Sequence, residues 1–184
     1  MPSRHIAYPI SSYFGAPSAL KQVEHFARKF EDAKVNQVGL VLRGPTGSAK
    51  TFLAVHLCRL LMHRGFEVCY YTLDFVTDAY FHRTEDSVSF LGRFEPNDLV
   101  VFDGLNESVH KGQKIAILKA ITTRSLTGKP FVVCTDLDKD EFATQYGPSL
   151  SALVERDLVE VRCSIADLFA QHELNQRRKA SVTV

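Results

Sequence analysis

Residues 40–53 read LVLRGPTGSAKTFL, and this stretch decides the fold because a glycine-containing loop joins an apolar run to a helical pattern. The run from Val38 to Leu42 is typical of a buried strand, and an apolar periodicity from Thr51 predicts a helix that Gly65 ends. Glycines let such a loop curl until several backbone N–H groups face one phosphate chain, and the helix adds its positive N-terminal end. The stretch therefore predicts a phosphate-binding loop, with an ordinary turn as the alternative.

The loop residues would meet ATP and its magnesium ion in a defined order. We expect the Lys50 ammonium to reach the β- and γ-phosphates and the Thr51 hydroxyl to bind Mg²⁺. The strict pattern has glycine before the lysine, whereas this chain has Ala49, so the backbone there must tolerate a Cβ atom. The predicted nucleotide-binding residues are Gly44, Pro45, Thr46, Gly47, Ser48, Ala49, Lys50, Thr51 and Phe52.

Composition and charge exclude several classes of protein. A chain of 184 residues with 45% hydrophobic and 23% charged residues is ordinary for one globular domain. The net charge of +1 gives no overall field for nucleic acid, so such a contact must be a local patch. The 4 cysteines lie singly in apolar segments, which predicts buried thiols and neither zinc nor disulfides. Without a signal-like start or a membrane-length apolar run, we expect a cytoplasmic protein with no membrane contact.

Strands alternate with helices along the chain, which predicts an α/β fold with a parallel sheet covered on both faces. The predicted strands span 38–42, 66–72, 98–103, 131–135 and 158–162. The predicted helices span 17–30, 51–64, 74–80, 113–125, 138–145 and 149–156, and Ile115, Leu118 and Ile121 or Thr122 are expected to face inward. We divide the single domain 1–184 into an N-terminal arm and helix (1–35), a nucleotide-binding core (36–163) and a C-terminal helix and tail (164–184).

Ligands of such sheets bind beyond the carboxyl ends of the strands, where Asp103 closes the third predicted strand. A carboxylate there holds Mg²⁺ in phosphate-loop NTPases, so Thr51 and Asp103 are the predicted metal residues, a cap or turn aspartate being the alternative. Hydrolysis also needs a group that orients the attacking water, and many such enzymes have an acid after the aspartate, where this chain has Gly104. Glu107, the nearest acid in the loop, is either that group or a solvated carboxylate.

The order of these motifs resembles the DnaC/DnaI/IstB branch of the AAA+ ATPases, bacterial helicase loaders and transposition helpers that phages often carry. The stretches that carry the resemblance are GPTGSAKTFLAVHLCRLLMHRGFEVCYYTLDFV, DLVVFDGL and ITTRSLTGKPFVVCTDLDKDEFATQYGPSLSALVE, within about residues 36–163. The resemblance implies a P-loop NTPase with an AAA+ core, a five-stranded parallel sheet in the order 5-1-4-3-2 between helices, ATP and Mg²⁺ at the strand ends, and self-assembly along DNA.

The match to this family is uneven at the residues expected to sense and hydrolyse ATP. Thr135 or Asp136 stands where the family has a polar sensor of the γ-phosphate, and Asp136 would bring negative charge there unless it caps the next helix. Ala152 replaces the family's arginine that reaches a neighbouring subunit's ATP, and Arg156 is either its substitute or a surface ion-pair residue. Glu107, Thr135 and Arg156 are therefore the predicted catalytic residues, and we expect slow hydrolysis at best.

Two segments that mix aromatic and basic residues, 80–83 and 90–94, predict a single-stranded DNA contact or, alternatively, aromatic packing. The predicted nucleic-acid residues are Arg83, Arg93 and Lys111. Tyr13 and Phe14 either flank the adenine or pack. Family loaders grip a helicase with a separate N-terminal domain, for which the arm here is too short, so we expect the arm itself to bind a partner or the protein to do a reduced job.

The resemblance implies an ATP-binding protein of DNA replication that is similar to a helicase loader. Its expected partners are a replicative helicase or another replication protein, single-stranded DNA and further copies of itself. A second interpretation is a nucleotide-dependent regulator that sequesters a helicase without real ATPase activity, which Gly104 and Ala152 favour. A third is a small P-loop kinase, which would need an arginine-rich lid over the phosphates.

Overall fold

The computed structural model describes Ile10, Tyr13 and residues 15–81, 96–106 and 110–164. Within them, strands and helices alternate as the sequence predicts. The strands are β1 (Gly39–Arg43), β2 (Val68–Thr72), β3 (Leu99–Asp103), β4 (Phe131–Thr135) and β5 (Leu158–Arg162). The helices are α1 (Pro17–Arg28), α2 (Phe30–Asn36), α3 (Lys50–His63), α4 (Leu73–Phe81), α5 (Lys111–Leu126), α6 (Lys139–Tyr146) and α7 (Pro148–Asp157).

The five strands form one parallel sheet in the order β2-β3-β4-β1-β5. This is the predicted order 5-1-4-3-2, and the fold class is confirmed. All carboxyl ends lie at one edge of the sheet, so the loop after β1 and the last residue of β3 share that edge.

Alternation along each strand divides the core into two layers. Leu40 and Leu42 face one side of the sheet, where they pack with residues of α1 and α3, while Val41 faces the other side with residues of α4 to α7. The side covered by α1 and α3 also receives Val101 of β3 and Cys134 of β4. Side chains at the carboxyl ends of these strands therefore converge below the first turn of α3.

The helix predicted over 17–30 is wrong in its continuity. Lys29 leaves helical geometry with φ −95° and ψ 21°, and α2 starts at Phe30 in a new direction. Phe30 is fully buried and packs edge-on against Phe66, with 4.9 Å between ring centroids. The periodicity placed Phe30 on the apolar face, and its burial is confirmed, but the periodicity does not reveal the break at Lys29.

The predicted inward face of α5 is wrong at Ile115 and Leu118 and confirmed at Ile121. Ile115 and Leu118 are 48% and 38% exposed, and the buried residues are Ala116, Ile117, Ala120, Ile121 and Arg124. Two alanines allow α5 to lie close to the sheet. Arg124 is fully buried because its guanidinium donates to Pro130 O (2.9 Å) and Asp98 O (2.9 Å), and burial lowers its pKa to about 10.

The cysteines behave as predicted. All four lie in the part of the chain that the structure describes and all are free thiols, with Cys58, Cys134 and Cys163 buried and Cys69 half-buried. Across the described ranges, none of the helices combines the length and the apolar character that crossing a membrane requires.

Candidate nucleotide-binding site

The loop of residues 44–49 joins the carboxyl end of β1 to α3 and has a conformation that its glycines permit. A Cβ atom on Gly44 would lie 2.0 Å from the Cys163 carbonyl oxygen, so only glycine fits this close approach. Ala49 has φ 63° and ψ 23°, in the left-handed region where the strict motif has glycine. Its methyl group therefore costs about 1 kcal/mol of local strain.

Lys50 places a positive charge inside this loop. Its Nζ donates to the carbonyl oxygens of Gly44 (2.6 Å) and Pro45 (2.9 Å) and lies 3.5 Å from Ser48 Oγ. The ammonium group is thus held by loop carbonyls, beside the backbone turn that begins α3. Because the N-terminal end of α3 is also electropositive, this place attracts a phosphate chain.

The next residue reaches across the sheet to Asp103. Thr51 Oγ1 donates to Asp103 Oδ2 at 2.8 Å, although β4 lies between β1 and β3. A hydroxyl and a carboxylate at the start of α3 and the end of β3 are oxygen ligands of the kind that Mg²⁺ prefers. The predicted metal residues Thr51 and Asp103 are therefore adjacent.

Asp103 accepts two further hydrogen bonds. The Tyr70 hydroxyl of β2 donates to the same oxygen, Oδ2, and the Cys134 thiol of β4 also donates to the carboxylate. Burial and then the Asp103 charge raise the pKa of Tyr70 well above its usual range, and the same causes raise the pKa of Cys134. Both groups are therefore neutral and can donate to the carboxylate.

These residues fit Mg²⁺-bound ATP. Lys50 would supply a cation for the phosphates, while Thr51 and Asp103 would supply two oxygen groups for the ion. Over the described ranges, no cluster of three His, Cys, Asp or Glu residues could hold a metal without other ligands. A magnesium ion that takes one or two protein ligands and completes its shell with phosphate oxygens and water agrees with that finding.

Both predicted sensor residues contact the loop, Thr135 through its carbonyl oxygen, which accepts from the Gly44 N–H at 3.2 Å, and Asp136 through its side chain. Thr135 is fully buried, and its hydroxyl donates to Leu105 O and accepts from the Leu137 N–H at 3.2 Å, so it holds two loops together. Asp136 Oδ2 accepts from Thr46 Oγ1 at 3.1 Å, and its other oxygen is buried without a hydrogen-bond partner. The alternative that Asp136 caps the next helix is wrong, because Asp138 caps α6.

Arg156 lies at the opposite edge of the sheet, where α7 leads into the amino end of β5. Its guanidinium is exposed and bonds Asp157 at 2.5 Å and Ser125 Oγ at 3.2 Å. It does not approach the loop of its own chain, so a role on a neighbouring subunit's nucleotide stays a prediction. Ala152 is exposed on the same helix.

The other predicted residues divide into two groups. Glu107, Arg83, Arg93 and Phe14 lie outside the described residues. Tyr13 is buried with its ring 5.5 Å from that of Phe52, which agrees with the packing alternative. Lys111 is exposed at the start of α5.

Sequence reasoning missed Tyr70 and Arg43. A tyrosine at an inward position of an apolar strand needs a partner for its hydroxyl, and that signal could have pointed from Tyr70 to a polar strand end. Arg43, the buried last residue of β1, donates to Leu137 O and lies 3.4 Å from both Glu155 and Glu160, so it ties the start of the loop to α7 and β5. The position of an arginine directly before the loop, at the end of an apolar strand, could have indicated this role.

A cleft of about 450 Å³ opens beside the loop, where β1 and β5 end. It has charged walls and is within the usual size range of small-ligand pockets. Its lining includes Arg43, Gly44, Pro45, Glu160, Arg162 and Cys163. The cleft adjoins the first two residues of the loop, and its lining does not include Lys50, Thr51 or Asp103.

Neither protein-family models nor curated proteins match this sequence. Solved structures do match. The DnaC helicase loader superposes with a TM-score of 0.77 at 18% identity, over 88% of this chain and 99% of that one. DnaI superposes with a TM-score of 0.73 at 14% identity, over 89% and 91% of the two chains.

A third match is the replication initiator DnaA bound to AMPPCP and single-stranded DNA. Its TM-score is 0.67 at 18% identity, over 84% of this chain and 49% of that one, so this chain spans about half of DnaA. Identities this low establish the fold alone. The chain has the fold of the DnaC- and DnaI-like AAA+ proteins, as the resemblance of its motifs implied.

Proposed function

We propose that this protein binds ATP and Mg²⁺ and acts in DNA replication in the manner of a helicase loader. The observation that carries the proposal is the contact of Thr51 with Asp103 next to the loop-bound ammonium of Lys50. The fold shared with the DnaC helicase loader supports the replication role, and the AMPPCP in the DnaA structure supports a nucleotide as ligand.

Each residue of the site has a separate task in this proposal. Lys50 exchanges its carbonyl contacts for the phosphates and neutralises part of their charge. The Thr51 hydroxyl and the Asp103 carboxylate would hold Mg²⁺, which would neutralise charge on the phosphates. Bound Mg²⁺-ATP supplies the reactive phosphoryl group, and the chain supplies orientation and charge.

Hydrolysis by this site is expected to be slow. Gly104 has φ +92°, a conformation that favours glycine, so the backbone after Asp103 is not arranged for an acidic side chain. Ala152 stands where the family has the arginine that reaches a neighbouring subunit's ATP. Such an arginine can raise the rate of hydrolysis by roughly 10³–10⁵. Glu107 is the acid that we propose for orienting water, and Asp136 lies where a neutral sensor is expected.

The proposed partners follow from the same comparison and from the sequence. We infer a replicative helicase or another replication protein as partner, self-assembly on DNA, and a single-stranded DNA contact through Arg83, Arg93 and Lys111. The exposed position of Lys111 and the single-stranded DNA in the DnaA structure support this contact.

A second candidate function is a nucleotide-dependent regulator that captures a helicase without turning over ATP. Gly104, Ala152 and Asp136 favour it, because each weakens hydrolysis while the binding residues Lys50 and Thr51 are intact. A kinase is not proposed, since Arg156 is the only arginine of residues 136–156 and lies at the sheet edge away from the loop.

The two candidates differ in assembly and turnover. Purified protein is titrated with ATP and single-stranded DNA while mass is followed by light scattering and phosphate release by a coupled assay. A loader forms ordered oligomers and releases phosphate slowly. A regulator stays a monomer or dimer, releases none, and captures a replicative helicase in the presence of ATP. Rapid turnover by the protein alone would contradict the slow hydrolysis expected of both.

A further inference from the structure

We propose that Tyr70 is a positioning residue for the magnesium ion, because its hydroxyl fixes the orientation of the Asp103 carboxylate. The inference rests on the proposed nucleotide-binding function and names a residue that the motif pattern does not contain. Three observations support it: the position of Tyr70 in the sheet, its hydrogen bond to Asp103, and the weakness of the Cys134 thiol as the remaining donor.

Tyr70 reaches Asp103 because of strand pairing. β2 and β3 run parallel with Tyr70 opposite Val101 and Thr72 opposite Asp103. Since side chains alternate, Tyr70, Val101 and Asp103 face the same side of the sheet, beneath α3. The ring of Tyr70 packs against the core on that side, and its hydroxyl points along the sheet to the strand end.

Tyr70 and Thr51 donate to the same oxygen of Asp103, but only the hydrogen bond from Tyr70 persists when Mg²⁺ binds. Thr51 Oγ1 is 2.8 Å from Asp103 Oδ2, and it must turn away to bind Mg²⁺. The Tyr70 hydroxyl sits on a ring held by packing, so it keeps its bond. The ion then meets a carboxylate whose rotation is already restricted.

The remaining donor cannot replace Tyr70. The Cys134 thiol donates to the carboxylate, but a thiol is a weak donor. Groups that orient a metal-binding carboxylate typically change metal affinity by about 10- to 100-fold when they are removed. Tyr70 therefore sets how much Mg²⁺ the site needs.

A purely structural role would give another result. If the Tyr70 hydroxyl bonded Asp103 only because a buried hydroxyl needs an acceptor, its loss would lower stability. The Mg²⁺ concentration needed for nucleotide binding would then stay unchanged. Tyr70→Phe keeps the ring and its packing and removes only the donor. Tyr71→Phe is the matched control, because Tyr71 lies on the opposite face of β2 with its ring stacked 5.5 Å from Phe75.

The test measures binding of a fluorescent ATP analogue to the full chain over a series of Mg²⁺ concentrations and in EDTA, with thermal unfolding in EDTA to confirm folding. We expect Tyr70→Phe to raise the Mg²⁺ concentration for half-maximal enhancement of binding by roughly tenfold. Binding in EDTA should stay within about twofold of the parent, and Tyr71→Phe should match the parent in both.

The outcomes separate this inference from the proposed function. If the parent binds the analogue in a Mg²⁺-dependent way and Tyr70→Phe has the same Mg²⁺ midpoint, the role of Tyr70 is overturned and the proposed function stands. An equal loss of binding with and without Mg²⁺ also overturns it. If the parent binds no analogue at all, both proposals are wrong.

Discussion

Asp136 carries the charge that most affects the proposed site. One of its oxygens bonds Thr46 of the loop at 3.1 Å, and the other is buried without a hydrogen-bond partner. A carboxylate in this place repels the phosphates that Lys50 attracts. The net affinity for ATP is thus a balance between two opposite charges on either side of the loop.

Asp136→Asn should therefore tighten ATP binding by roughly tenfold, since it removes one like charge near the phosphates. Isothermal titration with a non-hydrolysable ATP analogue measures the change. Asp140→Asn is the control, because Asp140 is exposed in the first turn of α6 and its substitution also removes one negative charge. Unchanged or weaker binding by Asp136→Asn would show that Asp136 does not face the phosphates.

Ala49 is the other residue at which this loop departs from the strict motif. With φ 63°, it holds a conformation that glycine adopts without strain. Ala49→Gly should raise the free energy of unfolding by about 0.5 kcal/mol, because relief of strain exceeds the extra freedom of the unfolded chain. Urea denaturation measures it.

An alanine-to-glycine substitution inside a helix should instead lower the stability of the protein. Ala152→Gly, on the exposed face of α7, should lower the free energy of unfolding by about 1 kcal/mol. If both glycine variants are destabilised equally, Ala49 is not strained and the loop has another conformation.

Helix α3 links the loop to α1 through His56. The side chain is 13% exposed, and its Nε2 lies 3.7 Å from Glu24 of α1. Burial lowers the pKa of His56 below 6.5, while Glu24 opposes this effect and Arg59 adds to it. The folded state therefore favours the neutral imidazole, and the unfolded state binds more protons between that lowered pKa and 6.5.

Stability should accordingly fall as the pH drops through 6.5, since the unfolded state takes up the proton first. Thermal unfolding between pH 7.5 and 5.5 measures this slope. His56→Gln, which cannot titrate, should give a flatter slope than the parent. An equal or steeper slope in the variant would assign the pH dependence to other groups.

Arg124 joins α5 to the starts of β3 and β4. It is fully buried, and its guanidinium donates to the carbonyl oxygens of Asp98 and Pro130. Arg124→Ala should lower the free energy of unfolding by roughly 2–4 kcal/mol, because two buried carbonyls lose a charged donor and a cavity forms.

Arg156→Ala is the comparison for Arg124. It removes an exposed arginine whose ion pair with Asp157 is screened by solvent and contributes little to stability. Urea denaturation of the two variants should give clearly different midpoints. Equal decreases in the free energy of unfolding would mean that the buried hydrogen bonds of Arg124 do not stabilise the packing of α5.

The sequence predicted which segments form strands and helices but did not define the whole buried face of α5. The predicted inward residues Ile115 and Leu118 are partly exposed, whereas Ile121 is buried as predicted, together with Ala116, Ile117, Ala120 and Arg124. An arginine becomes a core residue only when carbonyls from distant segments surround it. That information is in the tertiary structure and not in the periodicity.

For the whole molecule, the strand order of the sheet and the proximity of Thr51 to Asp103 could be predicted from the sequence. The motif order implied the sheet, and the rule that ligands bind at the carboxyl ends of parallel strands implied the site. The contacts of Tyr70 and Asp136 could not be predicted, because they depend on strand register and on the path of the loop. Tyr70 stands at a position where the resemblance to the family gives no rule, whereas at Asp136 the resemblance implies a sensor but not its contact with Thr46.

The proposed nucleotide site requires Lys50 to be a ligand of ATP. Its ammonium group now bonds loop carbonyls, and the proposal requires that it moves to the phosphates when the nucleotide binds. Lys29 is a suitable control, since it is an exposed lysine paired with Asp32 at 3.4 Å.

The most direct test is equilibrium binding of Mg²⁺-ATP to the parent, Lys50→Ala and Lys29→Ala under one set of conditions. We predict that Lys50→Ala weakens binding at least about tenfold, as expected for loss of a charge-assisted phosphate contact, while Lys29→Ala binds as the parent does. Equal affinity of Lys50→Ala and the parent would contradict the nucleotide site.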